Sequence, residues 1–409
     1  MEELLGLFES VLAFGENGNW KMIIMWLIGG ILIYLAIKKQ MEPTLLLPIG
    51  FGAILMNFPG VITVRQICSV CESVFEGVAA NPCCTEANLI EHTVYGGIAE
   101  PLHELYNAGI ANELFPLLLF IGIGAMIDFG PLLSNPKLMI FGAAAQFGIF
   151  FTLCMASVFF PDIKDAASIS IIGAADGPTS IVVANALGSN YIGAITVAAY
   201  SYMALVPIIQ PPVIKLLTTK NERRIRMAYA EKQVSKTTKI LFPIIISIVA
   251  CIFAPSAGSL IGFLMFGNLI RECGVLDSLS ETAQKVLANL ITIFLGITIA
   301  FNMHASQFLA FETLLIMGLG LIAFIVDTAG GVLFAKLYNV IMKLLNKPLI
   351  NPMIGAAGIS AFPMSGRIVH KMGLEEDPQN FLLMHSIGVN VSGQIASVIA
   401  GALILGFFA

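Results

Sequence analysis

Charge is what this chain has least of. Its 409 residues are 11% charged, where a soluble domain carries roughly 25%. With 57% hydrophobic residues and a mean hydropathy of +0.88, that scarcity excludes an ordinary water-soluble enzyme and marks a polytopic membrane protein. The net charge of −5 says little, because the charges sit in loops, and no nucleic-acid partner is expected. No Gly-Lys dipeptide occurs, so there is no Walker A site and no sign of ATP driving. No cleavable signal peptide is evident either. Met1 to Phe14 is acidic where a signal would be basic, and it reads as a short amphipathic surface helix.

Apolar runs of spanning length, oriented by Lys/Arg bias, give the layout. Residues 1–63 hold the surface helix and two spans. Residues 64–113 contain seven Glu and one Arg with no run long enough to cross, and are read as an acidic outer loop. A first repeat follows over 114–212, with a broken stretch at 165–190. Lys215 to Lys239 carries eight Lys/Arg against two Glu, which makes 213–239 a cytoplasmic loop. Residues 240–286 form a helix pair and a cytoplasmic loop, and 287–409 repeat the layout, with a second break at 349–371. The expectation is an all-α polytopic protein of about ten transmembrane helices plus two re-entrant or broken hairpins in inverted repeats.

The breaks carry the functional signal. Ser168 to Leu187 has membrane character at both ends but holds Gly173-Ala-Ala-Asp176-Gly-Pro-Thr179 in the middle. Free backbone groups at membrane depth survive only where they line a protein-enclosed or watery cavity, and a carboxylate there is by default a functional residue. The bland alternative is a kink whose Asp176 merely caps the next half-helix. With the acidic loop outside and the basic loop inside, the first break must enter and leave on one side. Ile-Gly-Ala-Ala recurs at 172 and 354, 182 residues apart, each time opening a break followed by a span. Paired breaks in inverted halves point to a transport site at the repeat interface.

The residue types suit a hard monovalent cation. Asp176 offers an anionic oxygen, Asn351, Ser360 and Thr179 neutral ones, and the unwound turns carbonyls. One carboxylate among neutral ligands also favours competition between sodium and a proton. Tyr202 can bond or protonate across the cavity, or be an interfacial aromatic with its hydroxyl on backbone. Arg367, behind the second break, suits bidentate binding of a carboxylate, and a positive-inside anchor would look the same.

Several long motifs resemble one family. ELFPLLLFIGIGAMIDFGPLLSNPK, GAADGPTSI, AAYSYMALVPIIQPP, FGNLIREC and NPMIGAAGISAFPMSGR are similar to the beta subunit of sodium-translocating biotin-dependent decarboxylases, from Leu114 to the C-terminus. The resemblance implies a bacterial inner-membrane, multi-pass pump that decarboxylates carboxybiotin and exports sodium while consuming a proton. It implies Asp176 as sodium ligand and proton acceptor, Tyr202 as a catalytic tyrosine, and Asn351, Gly355 and Ser360 as second-break positions. Arg367 becomes a contact for the biotin carboxylate. Expected partners are a carboxytransferase alpha subunit, a biotin carrier subunit, a small single-span membrane subunit and further copies of the chain. No Met-Lys-Met biotinylation sequence occurs, so the carrier is a separate chain. A stand-alone sodium-coupled carboxylate symporter is the alternative, and a non-catalytic membrane anchor a third.

Other polar residues have blander readings. Asp128 is read as a cap or loop anchor, Asp327 as a weak candidate for a second cation or proton ligand, and His304 and His385 as hydrogen-bonded neutral groups. Cys68, Cys71, Cys83 and Cys84 cluster in the outer loop and suit disulfides better than zinc, since the second pair lacks the usual ligand gap. Cys154, Cys251 and Cys273 are read as packing residues.

Overall fold

A computed structural model describes residues 20–40, 43–59, 61–68, 89–95, 97–228, 234–253, 255 and 258–408. The N-terminal amphipathic segment and Cys71, Cys83 and Cys84 lie outside the described residues, as does the side chain of Cys68. The chain enters through helices α1 (Trp20–Lys38) and α2 (Pro43–Leu55), followed by an antiparallel ribbon of β1 (Ile62–Cys68) and β2 (Leu89–Tyr95). The ribbon is an addition to the all-α expectation and lies in the segment read as an outer loop. That segment ends in the amphipathic helix α3 (Ala99–Gly109).

Helix α4 (Leu114–Met126) and the short α5 (Gly130–Ser134) lead into α6 (Met139–Ala145) and α7 (Phe147–Phe159). The first break is α8 (Ile163–Ser170), a 3₁₀ turn over Ile171–Ala174, and α9 (Gly177–Ala186). Helix α10 (Ile192–Leu217) then runs to the one-turn α11 (Lys220–Arg223), and α12 (Lys236–Phe253) and α13 (Gly258–Glu272) form a pair. After α14 (Asp277–Glu281), α15 (Ala288–Ile299) and α16 (Ala305–Phe308) comes the long α17 (Phe311–Leu344). The second break comprises α18 (Met353–Ala356) and α19 (Met364–Glu376), and α20 (Leu383–Phe408) closes the chain.

Six helices among the described residues are long and apolar enough to cross a membrane, or seven if the bent pair α3 and α4 counts as one span. About ten were expected. The difference arises because apolar runs come in pieces: α2 has 13 residues, α4 has 13 and α13 has 15, short of the ~20 a full span needs.

The two halves pack reciprocally. Helix α10, which follows the first break, lies along α17, which precedes the second; α20, which follows the second break, lies along α6, which precedes the first. Glycine allows both approaches. A Cβ on Gly320 of α17 would stand 2.7 Å from the Tyr202 ring of α10, and one on Gly142 of α6 would stand 2.2 Å from Ser392 Oγ of α20. Helices drawn together this closely in an apolar solvent gain dispersion contacts rather than hydrophobic energy.

Candidate functional site

Each break is closed at its two ends by a polar clasp. In the first, Asp165, buried near the start of α8, accepts from Ser189 Oγ at 2.7 Å, Asn190 N at 2.9 Å and Asn190 Nδ2 at 3.1 Å. The entry and exit of the segment therefore meet, which makes it a helical hairpin. In the second, the carbonyl of Arg223 accepts from Asn351 Nδ2 at 2.8 Å and Asn380 Nδ2 at 2.9 Å, which joins that segment's two ends. Helix α10 connects one clasp to the other through 26 residues, about 39 Å at 1.5 Å per residue. The two hairpins are thus closed at opposite ends of a membrane-spanning helix, the second beside the basic loop.

Their tips touch. Ser360 donates from its backbone N at 3.1 Å and from Oγ at 2.7 Å, both to the carbonyl of Ala174. Gly355 meets Gly331 of α17 so closely that a Cβ on Gly331 would stand 2.2 Å from the Gly355 carbonyl oxygen. Between the tip of the first hairpin and α9, Ala175 adopts left-handed geometry (φ 53°) and Asp176 turns extended. An L-residue in that region costs roughly 1–2 kcal/mol, so the surrounding contacts must hold it.

Asp176 is where they converge. Its Oδ1 accepts from Thr179 N at 3.3 Å, capping α9. Its Oδ2 accepts from Gln394 Nε2 at 3.0 Å and Ser397 Oγ at 2.8 Å, both on α20. The carboxylate thus does cap the half-helix, and it also ties the first hairpin to the last helix of the other half. A cavity of about 170 Å³ adjoins it, lined among others by Asp176, Tyr200, Ser360, Phe362 and Gln394. The hydroxyls of Thr179 and Tyr200 are buried without a partner among the described residues, and hydroxyl oxygens of this kind suit a small hard cation.

Not every expected residue arrives here. Tyr202 donates its hydroxyl to the Met317 carbonyl of α17, the backbone-bonded alternative, while Tyr200 faces the cavity with its ring beneath Gly177, where a Cβ would stand 2.6 Å away. Asn351 is turned to the loop: besides Arg223, it donates to the Ile225 carbonyl at 3.0 Å, and its Oδ1 accepts from Met353 N at 3.1 Å. The unwound carbonyls of the second break are claimed by amide side chains, Ala356 by Gln210 at 2.7 Å, Gly358 by Gln146 at 3.3 Å and Ile359 by Asn390 at 2.7 Å. Arg367, on α19, is exposed and its guanidinium has no partner among the described residues.

Further charged groups settle into structural roles. Asp128 accepts from Gly130 N at 2.8 Å and pairs with Lys239 at 3.3 Å, as a loop anchor does. His304 shares a hydrogen bond with Ser306 Oγ at 2.8 Å. The loop after α10 is docked by ion pairs: Arg223 with Glu376 at 2.7 Å and Arg226 with Asp377 at 2.6 Å. The Arg223 guanidinium holds the Glu376 carboxyl below its ordinary range, and Arg226 does the same for Asp377.

Comparison with known proteins adds the family. A family model described as the Na⁺-transporting oxaloacetate decarboxylase beta subunit matches residues 21–408. The chain is 45% identical over 416 residues, covering all of both chains, to the methylmalonyl-CoA decarboxylase subunit beta of Propionigenium modestum. It is 44% identical over 411 residues to the oxaloacetate decarboxylase beta chain of Klebsiella pneumoniae, covering 93% of this chain and 94% of that one. To the methylmalonyl-CoA decarboxylase subunit beta of Veillonella parvula it is 46% identical over 382 residues, covering 93% and 92%.

Proposed function

The chain belongs to the Na⁺-transporting oxaloacetate decarboxylase beta-subunit family, and from that premise we propose that it moves sodium through the cavity beside Asp176. As a member, it is the multi-pass inner-membrane subunit of a multi-subunit, sodium-transporting decarboxylase. The observation that carries the reading is the position of Asp176, bonded by Gln394 and Ser397 of the opposite half beside two buried hydroxyls that have no partner among the described residues.

In this reading sodium is cargo. The Asp176 carboxylate supplies the anionic oxygen, Tyr200 and Ser360 supply neutral oxygens around the same cavity, and the Thr179 hydroxyl supplies another from α9. Because hairpin tips and α20 build it jointly, a shift of one half against the other changes the site and its access together. Carboxybiotin, brought by a separate carrier subunit, supplies the carboxyl group whose loss as CO₂ drives the pump and leaves a nitrogen that takes up a proton. Arg367 fits the holding of that carboxylate, since its guanidinium is exposed and has no partner among the described residues at the hairpin closed beside the basic loop, and a planar fork of donors matches a carboxylate. A carboxytransferase subunit, the carrier, a small single-span subunit and further copies of this chain complete the assembly. Moving one charge outward against 100 mV costs about 2.3 kcal/mol, so CO₂ release must be tied to one access state.

The test is the sodium dependence of decarboxylation of free carboxybiotin by the purified subunit, wild type beside Asp176→Asn. Sodium-stimulated CO₂ release that is lost in the variant supports the reading. Tight sodium binding with no CO₂ release in the wild type favours the carboxylate symporter instead.

A further inference from the structure

A second carboxyl group is buried outside the Asp176 cavity. Asp327 lies midway along α17 with no exposed surface. Its Oδ1 accepts a hydrogen bond from Gly148 N at 2.9 Å, at the first residues of α7. Its Oδ2 is buried and has no partner among the described residues, and the neighbouring Thr328 hydroxyl is likewise unmet. The fit around it is close: a Cβ on Gly148 would stand 2.5 Å from Asp327 Oδ1, and a Cβ on Gly173 of the first hairpin would stand 3.2 Å from the Gly148 carbonyl carbon. Asp327 therefore sits at the seam where α7, α17 and the first hairpin's 3₁₀ turn meet.

The contrast with Asp176 indicates what it holds. Asp176 receives three donors. Asp327 receives a single neutral N–H. Among the described residues, no charged side chain bonds to it from the elements packed on α17. Helices α6, α16 and α18 and the 3₁₀ turn carry no titratable side chain, α7 has only Cys154, α10 has Tyr200, Tyr202 and Lys215, and α8 has Lys164 and Asp165. Tyr202 is engaged by Met317, Asp165 by Ser189 and Asn190, and Lys215 lies in the last turn of α10. On α17 itself, Glu312 lies in the first turn, Lys336 pairs with Glu222, and Lys343 lies in the last turn. A bare carboxylate so placed lacks both water and counter-charge, whereas a carboxylic acid there leaves at most one hydroxyl donor unmet, a far smaller penalty. Sodium needs several oxygens gathered around it, and among the described residues only the carboxyl and one threonine hydroxyl are unpartnered side-chain oxygens here.

We propose that Asp327 is a proton-holding site, a neutral carboxylic acid at the seam of α7 and α17, distinct from the cation site at Asp176 and selective for a proton over sodium. The proton sits on Oδ2, the oxygen without a donor, while Oδ1 keeps its bond from Gly148. The assignment concerns this chain's own side chains and stands whether or not carboxybiotin is the substrate.

Infrared difference spectroscopy of the intact complex at neutral pH tests it, because a carboxylic acid carbonyl absorbs apart from carboxylates and amides. The expected result is a carboxylic acid band in the wild type that disappears in Asp327→Asn, persists in Asp176→Asn and is unmoved by saturating sodium. Asp327→Glu, which retains the acid, should shift the band rather than remove it, and it serves if the Asn variant fails to fold. A wild type without a band assignable to Asp327 overturns the proposal, and so does a band that sodium abolishes.

Discussion

The hairpin that begins at Ile163 is closed by a charged side chain, Asp165, whereas the one that begins near Asn351 is closed by a main-chain carbonyl, that of Arg223. The first clasp gives one buried carboxylate three donors from Ser189 and Asn190, all from the hairpin's own ends. The second gives one neutral acceptor two amides, and that acceptor belongs to a loop held in place by ion pairs near the surface. Hydrogen bonds to a charged, buried group are worth about 1.5–3 kcal/mol and neutral ones nearer 1. One hairpin is therefore fixed within itself. The other is fixed only as well as the loop that spans its mouth, and local opening is drawn from such low-stability regions.

The largest effect that would sharpen this contrast is at Asp165. Asp165→Ala leaves the Ser189 hydroxyl and the Asn190 donors without their acceptor, and should lower stability by about 3 kcal/mol, read as a drop in the denaturation midpoint in detergent. An unchanged midpoint would mean that the first clasp holds nothing. A smaller loss is expected from Asn351→Ala and Asn380→Ala, about 1 kcal/mol each. Because the two amides share one carbonyl, the double variant should depart from the sum of the singles, and strict additivity would break the account of a shared clasp.

The smallest effect is with pH. Arg223 donates to Glu376 and holds its carboxyl below the ordinary range. A group depressed on folding contributes stability that is present above its unfolded value and lost as pH falls through its folded one. Acidification below the ordinary carboxylate range should then speed hydrogen exchange in residues 218–228, while salt at neutral pH should do so only weakly. Exchange in that loop that is indifferent to acid would contradict the role given to the ion pairs.

Much of the first hairpin was legible. Asp-Gly-Pro-Thr spells a capped helix start after a break, and the charge bias of the flanking loops led to the expectation that entry and exit lie together, as the two ends joined by Asp165 do. The tyrosine was not legible in this way. Tyr200 and Tyr202 are two residues apart on one helix, roughly 200° around its axis, so one faces the cavity and the other α17, and composition cannot choose between them. Gln394 and Ser397 were missed because they lie in a long apolar helix with no break to draw attention. The available signal was their spacing of three, which places two polar groups on one face. Asn351 opens the second hairpin as the motif suggested, but its amide is spent on the loop, a partner 128 positions away in the chain that no local pattern reveals.

The central claim is that the sodium site spans both halves of the molecule, with α20 reaching across to Asp176. Its most direct test is the sodium concentration for half-maximal carboxybiotin decarboxylation in the variant Gln394→Ala/Ser397→Ala, which leaves Asp176 in place but removes the donors that orient Oδ2. The account predicts a rise of at least tenfold, about 1.4 kcal/mol, read at a temperature where the variant is still folded. Wild-type sodium dependence in that variant would contradict it, and would confine the site to the first hairpin alone.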